Sequence, residues 1–191
     1  MIITRKDAEA KLKKIFNIEH FYDEQWKAVE RILRGERILM IERTGFGKSL
    51  CYQFPATVFD GVTVIFSPLI ALMRDQVRGL VKKGIPAAYI NSEQSHKENQ
   101  ETIRRAKNNE IKILYIAPER QEDDEWIEAT RHIKLSMIVI DEAHTISVWD
   151  MILDHRSVGL LTWYRFFRRI CRSLLLLLPQ LKGFSMTLNS R

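Results

Sequence analysis

The chain has 191 residues, of which 46% are hydrophobic and 28% are charged, and its formal net charge is +6. This is the composition of a folded globular protein, and it excludes a disordered or collagen-like chain. The two cysteines, Cys51 and Cys171, are too few for a disulfide framework or a zinc site, which favours a reducing, intracellular location. The run Leu174–Leu178 is too short for a membrane helix, which needs about 20 apolar residues.

The positive charge is unevenly distributed along the chain. Residues 1–149 contain 23 basic and 22 acidic side chains, whereas residues 150–191 contain 7 and 2. The larger segment is therefore nearly neutral, and its bulk charge does not indicate whether it binds nucleic acid.

Residues 1–149 alternate between short apolar runs and helix-length amphipathic segments. The runs rich in Ile and Val predict strands at 37–42, 62–67, 87–91, 111–117 and 137–141. The segments between them predict helices at 23–34, 48–58, 69–83, 97–108 and 121–131. Strict alternation of strand and helix predicts a three-layer α/β domain, in which a parallel sheet carries helices on both faces.

A glycine-rich loop follows the first predicted strand and opens a helix, with the sequence R-T-G-F-G-K-S. Gly45 and Gly47 allow a tight turn whose backbone N–H groups point inward, and the helix N-terminus adds partial positive charge. Lys48 can reach the terminal phosphates of a nucleotide, and the Ser49 hydroxyl can bind Mg²⁺. A glycine turn with a solvated lysine is the alternative, because Glu42 stands where the phosphate-loop pattern has its first glycine.

The last predicted strand of residues 1–149 ends in the sequence D-E-A-H. Asp141 would hold Mg²⁺, and Glu142 would orient and deprotonate the attacking water. In the alternative interpretation, Asp141 caps the N-terminus of a helix. Because both this pair and the glycine-rich loop follow apolar strands of one predicted sheet, the two together predict ATP binding or hydrolysis.

Several segments resemble, in order, motifs I, Ia, Ic and II of RecQ-type superfamily 2 DNA helicases. They are T-G-F-G-K-S-L-C-Y-Q-F-P-A (44–56), F-S-P-L-I-A-L-M-R-D-Q-V (66–77), Y-I-A-P-E-R (115–120) and D-E-A-H-T-I-S-V-W (141–149). F-Y-D-E-Q-W-K-A-V (21–29) resembles the motif that precedes them. The resemblance covers roughly residues 10–149, and it implies the P-loop NTPase fold known as RecA-like.

The resemblance also implies roles for individual residues. Gln25 would read the adenine edge of ATP, although as an isolated residue it would be interpreted as an exposed helix position. Thr44 would contribute to the nucleotide site, and His144 and Ser147 would couple the nucleotide site to the DNA site. The positions that would contact DNA are Ser67, Pro68, Arg74, Gln76, Asn91, Ser92 and Trp149. Trp149 would stack on a base of single-stranded DNA.

By this resemblance the chain is expected to be the N-terminal motor domain of an ATP-dependent 3′-to-5′ DNA helicase, with ATP and Mg²⁺ as cofactors and DNA as partner. One alternative is a catalytically dead remnant that binds ATP or DNA. Another is an RNA helicase or other superfamily 2 translocase, which the sequences C-Y-Q and I-S-V-W disfavour. The family usually has Pro at Arg43, which is a mild change within the loop, and it usually has Gly at Asn17 and a basic residue at Tyr22. The departure at Tyr22 bears on the details of base recognition, while Gln25 is retained.

Residues 150–191 depart from the family and show no clean strand–helix alternation. Codons for residues 150–155, read one base earlier, can encode G-H-D-F-R-P, with which the family continues. The same shift at 176–181 can encode A-L-T-A-T. The segment is therefore expected to be a frameshift product without an independent domain, the alternative being a natural divergent tail. Lacking the family's second RecA-like domain and its zinc-binding and winged-helix modules, the chain is expected to hydrolyse ATP very slowly and not to unwind DNA.

Overall fold

The computed structural model of the chain describes residues 3–42, 45–117, 119–120 and 123–141, together with the backbone of residues 173–179. The helices are α1 (Arg5–Phe16), α2 (Asp23–Leu33), α3 (Lys48–Val58), α4 (Ile70–Lys82), α5 (His96–Lys107) and α6 (Asp124–Thr130). The strands are β1 (Arg37–Glu42), β2 (Val62–Phe66), β3 (Ala87–Ile90), β4 (Ile113–Ile116), β5 (Leu135–Ile140) and β6 (Ser173–Pro179).

All six described strands form one parallel sheet in the order β1-β6-β5-β2-β4-β3. Because the strands are parallel, their carboxyl ends lie along one edge of the sheet, where ligands bind in folds of this kind. The strands divide that edge into two halves. The glycine-rich loop and Asp141 follow β1 and β5, whereas the segments resembling DNA-contacting motifs follow β2, β3 and β4.

Two hydrophobic cores cover the two faces of the sheet. The first packs Leu12 of α1, Val29 of α2, Phe54 of α3 and Met73 of α4 against one face. The second packs α5 and α6 against the other face, with Trp126 fully buried in it. The strands are apolar on both sides because both faces are covered, which explains their nearly continuous Ile and Val runs. The predicted three-layer fold is confirmed.

Side-chain caps fix two of the helix starts. The Thr4 hydroxyl accepts a hydrogen bond from the backbone N–H of Asp7 at the start of α1. At α5, Ser95 and Glu98 form a reciprocal capping box, in which each side chain accepts from the other residue's backbone N–H. These local bonds satisfy N–H groups that have no partner within the helix.

The predicted strands and helices agree with the described ones to within a few residues at each end. The sequence analysis missed two elements. It assigned no helix to Arg5–Phe16, and it found no regular element after residue 149, whereas Ser173–Pro179 forms β6. β6 pairs with β1 on one side and with β5 on the other, so it lies inside the sheet.

Candidate functional site

The loop between β1 and α3 has the backbone of a phosphate-binding loop in its described part. Gly45 and Gly47 have φ angles of 83° and 81°, in the left-handed region that glycine adopts without strain. Gly47 is the N-cap of α3 and offers no side chain to the helix N-terminus. No acidic residue stands in the first turn of α3, so no carboxylate of its own neutralises the positive end of the helix dipole.

The Lys48 side chain turns back across this loop. Its Nζ donates a hydrogen bond to the backbone carbonyl of Glu42 at the end of β1, at 3.0 Å. The contact holds the ammonium group beside the loop, and no carboxylate of the described residues pairs with it. This arrangement places one positive charge and the start of α3 on the same few residues, which suits an anionic ligand.

Gln25 fixes the position of the loop from α2. Its Oε1 accepts from the backbone N–H of Tyr22 at 3.0 Å, and its Nε2 donates to the Phe46 carbonyl at 2.9 Å. The residue is only 4% exposed, so the interpretation of Gln25 as an exposed helix position is wrong. The predicted contact with adenine stays a prediction, since both ends of this amide already bond to the backbone.

An open cleft of about 420 Å³ lies beside this contact, lined by Tyr22, Asp23, Glu24, Gly45 and Phe46. The Tyr22 side chain stands at its edge with 67% of its surface exposed. An aromatic ring at this place offers a face on which a nucleotide base can stack.

Substitution of Gly47 tests whether Gln25 and the loop act together. A Cβ at Gly47 would lie 2.8 Å from Gln25 Nε2, whereas a Cβ at Gly45 would meet no atom within 4 Å. Both glycines have the same left-handed backbone, so Gly45→Ala is a matched control for backbone strain. We expect Gly47→Ala to weaken nucleotide binding roughly fivefold more than Gly45→Ala, as measured by titration with a fluorescent ATP analogue, because the displaced Gln25 amide gives up its hydrogen bond to the Phe46 carbonyl of the loop, which is worth about 1 kcal/mol. Equal losses in the two variants would contradict a role for the Gln25 contact.

Asp141 follows β5 at the same edge of the sheet. Its backbone N–H donates to the Phe66 carbonyl at 2.9 Å, which continues the pairing of β5 with β2. The side chain is 6% exposed, and its Oδ2 accepts a hydrogen bond from the Tyr52 hydroxyl at 3.4 Å. Tyr52 lies one turn after Lys48 on α3, so this bond joins the helix that begins at the phosphate loop to the carboxylate at the end of β5.

The oxygen atoms at this place fit Mg²⁺. Burial is the main cause that raises the pKa of Tyr52, the Asp141 charge raises it further, and a hydrogen bond with the Ser49 side chain lowers it, so Ser49 and Asp141 both lie close to this hydroxyl. Mg²⁺ prefers one or two protein oxygen ligands together with phosphate oxygens and waters. Among the described residues no group of three or more His, Cys, Asp or Glu side chains could hold a metal ion, so an all-protein cage is not formed there.

A buried chain of hydrogen bonds continues from Asp141 away from the phosphate loop. The Tyr52 hydroxyl lies 3.4 Å from the Tyr115 hydroxyl, to which Gln53 Nε2 donates at 3.1 Å. Gln53 Nε2 also donates to Gln76 Oε1 at 2.6 Å. Burial is the main reason why the pKa of Tyr52 is raised and why that of Tyr115 rises to about 12. Both hydroxyls therefore stay protonated at neutral pH.

The sequence analysis did not single out Tyr52, Gln53 or Tyr115. The first two belong to the C-Y-Q segment that it used only as a family signature. A usable signal was present: Tyr52 follows Lys48 by four residues, which places both on one face of a helix. Tyr115 was visible as the only hydroxyl-bearing side chain in the I-K-I-L-Y-I-A run.

Two of the predicted DNA-contacting residues are buried at the ends of their strands. Ser67 after β2 is 1% exposed and Asn91 after β3 is 0% exposed. Asn91 Oδ1 accepts from the backbone N–H groups of Glu93 and Gln94, both at 3.1 Å, so this side chain shapes the turn. Among the described residues, Ser67 Oγ and Asn91 Nδ2 have no hydrogen-bond partner. Such groups are rare in proteins and mark places where a ligand or water completes the bonding.

The other predicted DNA-contacting residues of the described chain lie nearer the surface. Arg74 of α4 is exposed and forms an ion pair with Glu93, which connects α4 to the turn after β3. Pro68 and Gln76 are half-buried, and Ser92 is exposed. The Arg120 guanidinium lies 3.4 Å from the Asn91 carbonyl and 3.1 Å from Asp123, so it braces the same turn.

Five predicted site residues lie outside the described part of the chain: Thr44, Glu142, His144, Ser147 and Trp149. Their predicted roles stay predictions. Cys51, which follows the loop, is fully buried, and burial together with the nearby Glu42 charge raises the pKa of its thiol to about 12. It is therefore a core residue rather than a nucleophile. In the described residues, no helix has both the length and the apolar character that a membrane crossing requires.

Comparison with protein families gives a match to the DEAD/DEAH box helicase model over residues 22–176. The match extends beyond residue 149 into β6, past the boundary that the sequence analysis placed there. Similar proteins include the ATP-dependent DNA helicase RecQ of Haemophilus influenzae, which is 39% identical over 160 residues, or 83% of this chain and 26% of the relative. The ATP-dependent DNA helicase RecQ of Bacillus subtilis is 41% identical over 157 residues, or 81% of this chain and 27% of the relative.

The chain thus spans about a quarter of the length of these curated relatives. Among solved structures, that of DUF1998 helicase MrfA bound to DNA and AMPPNP matches with a TM-score of 0.71 and 20% sequence identity. The match covers 95% of this chain and 27% of that one. At this identity the likeness concerns the fold alone. The resemblance to RecQ-type helicases that the motifs predicted is confirmed by these comparisons.

Proposed function

Because the chain belongs to the DEAD/DEAH box helicase family, we propose that it is the N-terminal motor domain of a RecQ-like DNA helicase that moves 3′ to 5′. In this proposal it binds ATP with Mg²⁺ at the edge of β1 and β5 and DNA at the edge of β2, β4 and β3. A protein that acts on DNA in this way works inside the cell.

One observation carries the nucleotide half of the proposal. The helix that begins with Lys48 is joined to Asp141 by the Tyr52 hydroxyl, one turn along the same helix. A phosphate-binding loop and a carboxylate connected in this way would serve one nucleotide, with Asp141 holding a Mg²⁺ ion that would offset the charge of its phosphates. A glycine turn with a solvated lysine would not require the buried Tyr52–Asp141 contact.

The proposed chemistry assigns a separate task to each part of the site. Lys48 and the backbone N–H groups at the start of α3 bind the phosphates and neutralise their charge. Ser49 and Asp141 hold Mg²⁺, which when bound offsets negative charge on the phosphates. Glu142 orients the attacking water and accepts its proton. The Gln25 amide keeps the loop in place through Phe46.

The DNA half of the proposal rests on the groups left without partners after β2 and β3. Ser67 Oγ and Asn91 Nδ2 are donors that the described residues leave unsatisfied, and they would donate to phosphate oxygens. Arg74 would then exchange its ion pair with Glu93 for a phosphate. The similarity to the RecQ relatives, which are ATP-dependent DNA helicases, favours DNA over RNA as the nucleic acid.

Nucleotide and nucleic-acid titrations of the purified chain test the proposal. We expect Mg²⁺-dependent binding of a fluorescent ATP analogue, and ATP hydrolysis that rises when oligothymidylate is added and rises less with oligouridylate. Nucleotide binding without hydrolysis under any condition would favour the catalytically dead remnant. Stronger stimulation by oligouridylate would favour an RNA helicase. Failure to bind nucleotide at all would contradict the proposal.

A further inference from the structure

The two halves of the candidate site are joined by the buried hydrogen-bond chain described above. It begins at Asp141 after β5, passes through Tyr52 of α3 and Tyr115 of β4, and ends through Gln53 at Gln76 of α4. The three residues between the two ends of this hydrogen-bond chain are all buried, since Tyr52 is 0%, Tyr115 1% and Gln53 8% exposed. The chain therefore crosses from the nucleotide half of the sheet edge to the DNA half through the protein interior.

The number of available donors fixes which group donates in each hydrogen bond of this buried chain. The Asp141 carboxylate can only accept, so the Tyr52 hydroxyl donates to it. The Tyr52 oxygen then accepts from the Tyr115 hydroxyl, and the Tyr115 oxygen accepts from one N–H of Gln53. The second N–H of Gln53 donates to Gln76 Oε1. In this order, both hydroxyl hydrogens and both N–H groups of the Gln53 amide are donated within the hydrogen-bond chain. Because Gln76 takes part through Oε1, its Nε2 donor points away from that chain.

We propose that Tyr115 is a positioning residue whose hydroxyl couples the Mg²⁺–nucleotide end of the site, at Asp141, to the DNA end, at Gln76. The inference rests on the proposed function, and it names a regulation of that site rather than a further ligand. Its basis is the run of four hydrogen bonds, 2.6 to 3.4 Å long, that leads from Asp141 after β5 to Gln76 of α4.

The physical reason lies in how hydrogen bonds in series affect one another. In a buried, low-dielectric setting each bond polarises the next, so a change at one end is felt at the other. If Asp141 held a divalent cation, its carboxylate would accept less strongly from Tyr52, and through Tyr115 this would change how Gln53 shares its two N–H groups. The Gln76 side chain, which is half-buried, then changes its orientation as its bond with Gln53 changes. This changes the direction in which its Nε2 group can donate to a DNA phosphate.

The test compares coupling in the unsubstituted chain, in Tyr115→Phe and in Tyr89→Phe. Tyr89 is the register partner of Tyr115 on the neighbouring strand and takes no part in the chain, so Tyr89→Phe is a matched control. The dissociation constant of a fluorescent ATP analogue with Mg²⁺ is measured without DNA and with saturating oligothymidylate. The ratio of the two constants is the coupling factor, and because it is taken within one protein, it cancels any change in intrinsic affinity.

We expect a coupling factor of at least about fivefold in the unsubstituted chain and in Tyr89→Phe, in the usual range for coupled sites, and less than about twofold in Tyr115→Phe. Equal coupling in all three proteins, or no coupling in the unsubstituted chain, overturns the inference and leaves the proposed function standing. Absence of nucleotide binding in every protein overturns both. If Tyr115→Phe does not fold, Gln53→Met cuts the next bond of the chain, and the same loss of coupling is expected.

Discussion

Replacing Lys48 with alanine is expected to weaken Mg²⁺–nucleotide binding by roughly 10- to 150-fold, because hydrogen bonds to charged groups contribute about 1.5–3 kcal/mol each. The side chain brings a positive charge to the glycine loop, and its contact with the Glu42 carbonyl shows that it already lies across that loop. When a nucleotide binds, Lys48 would donate to an anionic phosphate oxygen instead of the neutral Glu42 carbonyl, and a hydrogen bond to an anion is the stronger one. Isothermal titration with a non-hydrolysable ATP analogue measures the change.

The chain offers a matched control for this substitution. Lys112 also donates from Nζ to a backbone carbonyl, that of Phe59 at 2.8 Å, and it is likewise half-buried. It precedes β4 and therefore lies at the opposite edge of the sheet from the loop. Lys112→Ala removes the same kind of structural contact without touching the site, so it should leave nucleotide affinity within about twofold, or less than 0.5 kcal/mol. Similar losses in both variants would show that Lys48 acts only through stability.

Replacing Gly61 with alanine is expected to destabilise the fold by roughly 3–5 kcal/mol, since both strain and overpacking act at this position. Gly61 has a φ of 112°, which side chains rarely adopt, and a Cβ there would lie 2.3 Å from the Lys134 carbonyl oxygen. That oxygen accepts from the backbone N–H of Val62 where β2 begins beside β5, so the clash falls on backbone rather than on a side chain that can move. Chemical denaturation should show the loss, together with a melting temperature lower by roughly 6–20 °C.

Gly79 is the control for the loss of backbone freedom alone. It lies inside α4, where a Cβ would meet nothing within 4 Å. Gly79→Ala should therefore stabilise the fold by about 0.5–1 kcal/mol, because alanine is the better helix former. A Gly61→Ala protein as stable as the unsubstituted chain would mean that β2 and β5 do not approach each other as described.

The positions of the helices and strands that form the core were predictable because their signals are local. Val62–Phe66 and Leu135–Ile140 are apolar on both sides, which few structures other than a covered parallel strand require. The phosphate-binding loop before α3 was predictable because two glycines, a lysine and a serine stand between a strand and a helix. Missing α1 was avoidable, since Ala8, Leu12 and Phe16 recur every four residues after the Thr4 cap.

By itself the sequence determined the three-layer fold, the family, and which strand ends carry Lys48 and Asp141, because periodicity and motif order are properties of neighbouring residues. Only the tertiary structure decided that Ser173–Pro179 lies between β1 and β5, since a short leucine run suits a strand or a buried helix equally well. It also decided that Gln25 is buried against Phe46, and that Tyr52, Tyr115 and Gln53 connect Asp141 to Gln76. Those contacts join residues 21 to 89 positions apart, and no local pattern records which of many polar side chains will meet once the sheet has formed.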